Sequence, residues 1–157
     1  MKTLHFCIAA TLAMALPAAV AAQDTTEGPD APMRQIFQAP GAVAFMTTPT
    51  AGEAGRLGLW TWVFLKQPIP GGANALALQW DIDCAGQTTR TLRTAVYRDA
   101  TRVRTDAGID IHATPAPGTP GAVTMAAACA TGRPRAEPLP TLAAARASAA
   151  QTFAAQP

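Results

Sequence analysis

Alternation between apolar and polar positions is clearest from residue 57 to residue 98. Leu57–Lys66 (LGLWTWVFLK) is apolar on both parities. Leu57, Leu59, Thr61, Val63 and Leu65 fall on one side, and Trp60, Trp62 and Phe64 on the other. A strand of that kind is covered on both faces, as a central strand is. Leu76–Cys84 (LALQWDIDC) alternates with period two. Leu76, Leu78, Trp80, Ile82 and Cys84 form its apolar face, and Ala77, Gln79, Asp81 and Asp83 its outer one. Pro68–Asn74 between them is turn chemistry. After Ala85-Gly86, Thr88–Arg98 (TTRTLRTAVYR) is a β-branched, Arg-rich exposed strand, and Thr101–Thr105 a short one. Upstream, Arg34–Gln38 and Val43–Thr47 flank Ala39-Pro40-Gly41. That Pro-Gly pair suits the centre of a type II turn, so a first hairpin is predicted there, with Thr48–Gly55 a loop.

The pattern changes after residue 112. Ala113–Ala122 (ATPAPGTPGA) is a Pro/Gly loop, and Val123–Cys129 is a weak run, either a last strand or the start of a helix. Thr131–Pro140 is polar and Pro-rich. Thr141–Ala155 is a helix by propensity, capped by Thr141, with Leu142, Ala145, Ala149 and Phe153 as its apolar stripe and Arg146 at the edge. An unstructured low-complexity end is the alternative.

The start of the chain is a targeting segment. Lys2 precedes an apolar run from Phe6 to Leu16, Pro17 breaks it, and Ala19-Val20-Ala21-Ala22 offers small-residue cleavage sites. Residues 1–22 therefore read as a secretory signal peptide, followed by a polar leader over 23–33 that is predicted to be disordered. The expected domain is 34–130, with a Pro-rich linker and Ala-rich helix or tail over 131–157. No span of the mature chain approaches the ~20 apolar residues a membrane helix needs.

Export changes the cysteine arithmetic. Cys7 leaves with the signal peptide, so Cys84 and Cys129 remain and read as one disulfide, closing a loop of about 46 residues. Two free thiols, or a zinc site that only His112 could join, are the alternatives.

Composition narrows the function. Of 157 residues, 49 % are apolar but 37 are alanine, so the effective core is small. A formal charge of +2 does not indicate bulk nucleic-acid binding. Ser148 is the lone serine, and nothing resembles a nucleophile elbow, a Cys-x-x-Cys or a phosphate loop. No cofactor or metal is implied. Asp81 and Asp83 lie ~7 Å apart on one strand face, a spacing a glycosidase pair uses, but one more often found on a solvated strand. His112, beside the Pro/Gly loop, reads as a surface residue. Arg90, Arg93, Arg98, Arg102 and Arg104 form the one concentration of charge, with Arg102 and Arg104 on one strand face and Arg90 and Arg93 on opposite faces. They are a candidate surface for an anionic envelope component, or charge protection of a sheet edge.

The series Trp60-Thr61-Trp62, Trp80-x-x-Asp83-Cys84, Arg90-x-x-Arg93, Tyr97, Pro117-Gly118 and Cys129 resembles the surface-adhesin E family of exported proteobacterial proteins. Thr47 stands where that pattern has an acidic residue. The resemblance implies a small antiparallel sheet with a helix on one face and the Cys84–Cys129 disulfide. It also implies a non-enzymatic binding module, periplasmic or on the outer cell surface, that adheres to host matrix proteins. The expected fold class is thus mainly β, or α+β. The alternative functions are a periplasmic inhibitor of a secreted hydrolase such as lysozyme, inserting Pro68–Asn74 or Ala113–Ala122, and a small glycosidase-like enzyme.

Overall fold

The computed structural model describes residues 28–130 and 137–156. The predicted signal peptide, the first part of the leader and residues 131–136 lie outside them. The elements run β1 (Met33–Ala39), β2 (Ala42–Thr47), β3 (Thr50–Ala51), a 3₁₀ turn (Glu53–Gly55), β4 (Leu57–Ile69), β5 (Ala73–Asp83), β6 (Thr88–Arg98), β7 (Thr101–Ala107), α1 (Pro120–Cys129) and α2 (Leu142–Ala154). One antiparallel sheet has the order β1-β2-β4-β5-β6-β7, with the short β3 added to β4. The predicted antiparallel sheet with a C-terminal helix and one disulfide is what forms, with a second helix besides.

Both faces of the sheet are covered, each by one helix. On the first face Trp62 and Phe64 of β4 pack with Val43, Phe45, Ala75, Ala77, Ala95 and Tyr97, under Ala145 and Ala149 of α2. Trp62 stacks near Phe64 at 6.3 Å between ring centroids and lies 4.9 Å from Tyr97. Arg146 leaves the α2 stripe to lie 5.3 Å over the Phe64 ring, and burial there lowers its pKa against the opposing pull of Asp99 and Tyr97. On the second face Met46, Leu59, Trp80 and Ile82 pack with Met125, Ala127, Ala128 and Cys129 of α1. The buried hydroxyls of Thr61 and Thr124 meet there at 3.3 Å. The Cys84–Cys129 bond joins the end of β5 to the end of α1, with 5.6 Å between the Cα atoms.

Several elements differ from their expected form. Ala77, on the face of β5 expected to be outer, is buried with Ala75 in the cluster that α2 covers, since alanine leaves room there for the helix. The strands run into the expected Pro68–Asn74 turn, β4 to Ile69 and β5 from Ala73. The end of the expected leader is built in. Met33 is 1 % exposed and exchanges backbone hydrogen bonds with Leu139, and Asp30 accepts from the Leu142 amide. Gly28 lies so close to the Trp62 indole that a Cβ would come within 2.6 Å of it. The Pro40-Gly41 hairpin forms, but Gly41 lacks the positive φ of a type II turn. The run at Val123–Cys129 is helix, not strand. It begins inside the predicted loop because Thr119 caps the Ala122 amide and Pro120 suits the first turn. Thr141 caps α2 through the Ala144 amide, as its sequence predicts.

Candidate functional site

α2 spans about 20 Å at 1.5 Å per residue, while the eleven residues of β5 extend about 36 Å. The helix therefore covers one end of the first face and leaves the other open. At the open end lies a cleft of about 470 Å³. Trp60, Gln79 and Asp81 lie on its floor, Pro29 and Pro32 form one wall, and the segment from Thr50 to Arg56 another.

The floor is assembled by register. The turn after β5 aligns Asp83 with Thr88, and two steps further in Asp81 faces Arg90. Gly58 faces Asp81 from β4. Arg56 arrives from the 3₁₀ turn, where the Gly52 amide donates to the Arg56 carbonyl at 2.8 Å and the Arg56 amide to the Glu53 carbonyl at 3.1 Å. Asp81 becomes the hub of the site. It meets Arg90 at 2.7 Å, Arg56 at 3.3 Å and His112 at 3.3 Å, with its own side chain 13 % exposed. Arg90 also pairs with Asp110, and the bonds to Asp81 and then Asp110 hold its guanidinium above its usual pKa.

His112, expected as a bystander, belongs to this cluster, reached from a loop anchored at both ends beside Asp81 and Arg90. The Gly108 amide donates to the Leu92 carbonyl at 2.9 Å, and Ala113 exchanges two hydrogen bonds with Thr89. Between these anchors His112 turns in to Asp81, and Asp110 reaches Arg90 from the surface, its side chain 88 % exposed. Ile109 and Ile111 turn outward, 72 % and 67 % exposed. The Asp81–Arg90 pairing was readable from the hairpin around Ala85-Gly86. Arg56 and His112 were not, since each reaches Asp81 from a separate loop.

The arginines are divided differently from the alternation of the chain. Leu92 is an extra residue in β6 and Val103 in β7. Each bulge inverts the parity beyond it. Arg90 and Arg93 therefore share the first face, opposite Asp81 and Gln79, where the pattern puts them on opposite faces. Arg102 pairs with Tyr97 on the first face and Arg104 with Val96 on the second, where the pattern puts them together. Arg98 donates to the Gly71 carbonyl at 2.7 Å, and Arg104 pairs with Asp106 at 2.9 Å. The five do not form one surface.

Asp83, the other half of the carboxylate pair, accepts from the Gly86 amide at 2.8 Å and closes the turn. Among the described residues no three His, Cys, Asp or Glu side chains are grouped to hold a metal ion. Among the same residues no helix is long and apolar enough to cross a membrane. No protein-family profile, curated protein or solved structure matches the chain.

Proposed function

We propose that this protein is an exported, non-enzymatic binding module of the cell envelope, of the kind the surface-adhesin E resemblance implies, and that it takes its ligand on the open end of the first face. The observation that carries this reading is the Asp81 hub beside Trp60. It is a preorganised cleft in which Arg56 and Arg90 are held on Asp81. Asp83 is committed to its turn, which favours binding over acid–base work by the Asp81/Asp83 pair. The ligand is a component of the envelope or a host matrix protein. The split of the arginines between two faces weighs against a single anion-binding patch.

Two measurements test the reading. Added protease should digest the protein on intact cells, and immobilised fibronectin or laminin should retain purified protein but release an Asp81→Ala variant that still folds. Protection on intact cells together with no retention would overturn surface adhesion to host matrix, and equal retention of the folded Asp81→Ala variant would overturn the cleft as the binding site.

Inhibition of a secreted hydrolase is the second reading, favoured by the loop between Gly108 and Ala113. A loop anchored at both ends that holds two isoleucines in solvent is shaped to enter another protein's cleft. It differs from the two loops singled out by sequence. Lysozyme that keeps full activity in stoichiometric excess of this protein would remove it.

A further inference from the structure

We infer that the cleft recognises a neutral saccharide, with Trp60 as the platform for a sugar ring. This rests on the binding-module reading and names its ligand class. Three observations lead to it. First, the charged residues lining the cleft are Glu53, Arg56, Asp81 and Arg90, two of each sign. The two arginines are offset by Asp81, on which both sit, and by Glu53, so the cleft carries no net charge to draw an anionic ligand. Second, the floor is the face of a sheet whose backbone groups are paired within it. An extended peptide finds no row of free amides there with which to set its register. Third, what the floor does present is the half-buried Trp60 ring, with the Gln79 amide, the Arg56 guanidinium and the Asp81 carboxylate around it. Sugar hydroxyls both donate and accept, so they match a mixed set of fixed donors and acceptors, while the apolar C–H face of a pyranose covers an aromatic ring.

Titration of the full-length protein with uncharged trisaccharides (cellotriose, maltotriose and the trimer of N-acetylglucosamine), followed by tryptophan fluorescence and calorimetry, tests the inference. A sulfated heparin trisaccharide serves as the anionic control. At least one neutral sugar should bind in the micromolar to millimolar range and more tightly than the sulfated one. Trp60→Ala should weaken it by about tenfold. Gln79→Ala removes only an amide from the floor, so it serves where Trp60→Ala does not fold, and it should weaken binding severalfold. Charge reversal at Arg104, on the opposite face, should leave binding unchanged. Failure of all the neutral sugars at millimolar concentration overturns the inference, as does preference for the sulfated sugar, or wild-type affinity in a folded Trp60 or Gln79 variant. Retention on fibronectin or laminin without any saccharide binding overturns the ligand class and leaves the binding-module reading standing. Loss of both overturns the two together.

Discussion

Replacing both bridged cysteines, as Cys84→Ala/Cys129→Ala, should cost about 4 kcal/mol of stability. The magnitude follows from the loop. The bond separates residues 45 apart, and a closed loop of that length restricts the unfolded chain by about 4 kcal/mol in the chain-entropy model. The folded state loses little contact in exchange, because alanine keeps the Cβ atoms of two half-buried side chains. For a chain of this size the loss corresponds to a melting temperature lower by roughly 15 °C. Equilibrium urea unfolding of the variant and the parent gives the difference directly. The slope with urea should rise or hold, since the uncrosslinked unfolded chain exposes at least as much surface. A difference below about 1 kcal/mol would refute the reasoning. It would mean that the segment from β5 to α1 stays associated in the unfolded state, so that the bond restricts nothing. Peptide mapping after thiol labelling of the native, unreduced protein should find both cysteines unmodified.

Three further outcomes are expected. Ala77→Leu puts three extra carbons where α2 meets the sheet, at a site with no exposure, and should destabilise by about 1–3 kcal/mol in a thermal melt. Thr124→Val strands the buried Thr61 hydroxyl and should cost about 1–3 kcal/mol, while the double variant with Thr61→Val should recover part of that loss. Asp81→Ala leaves Arg56 and Arg90 facing each other without their shared counter-charge. Its melting temperature should fall at low ionic strength and partly recover in 1 M salt, with no recovery if the ion pairs add nothing.

The parts of this fold readable in its sequence are those governed by local pattern. The two-sided apolar run at Leu57–Lys66 is β4, covered on both faces, and Leu76–Cys84 turns its large apolar residues to the second face as its period predicts. The C-terminal helix follows from propensity and the Thr141 cap. The boundaries that shifted depend on packing between distant segments. Met33 joins the sheet opposite Thr47, and Leu139 pairs with it on the other side from more than a hundred residues away. Ala77 looks like an outer position because alanine gives no hydrophobic contrast, yet its smallness and that of Ala75 leave room for α2. The arginine surface was misassigned for a related reason. A bulge adds one residue without a sequence mark, and Leu92 and Val103 each continue the β-branched or apolar pattern around them.

The placement of the two helices explains why the open end of the first face is a firm surface. α1 is only ten residues long, about 15 Å, and packs behind Leu59, Trp80 and Ile82. These residues interleave along β4 and β5 with Trp60, Gln79 and Asp81 of the cleft floor, and they point the opposite way. The strands that α2 leaves bare on one side are therefore those that α1 and the Cys84–Cys129 bond hold from the other. A binding floor needs its side chains fixed before the ligand arrives, since ordering them on binding would cost affinity. Here a small, alanine-rich core is supplemented by a covalent link at the place where the first face has no helical cover. The helix and the bond thereby support the cleft without occupying it.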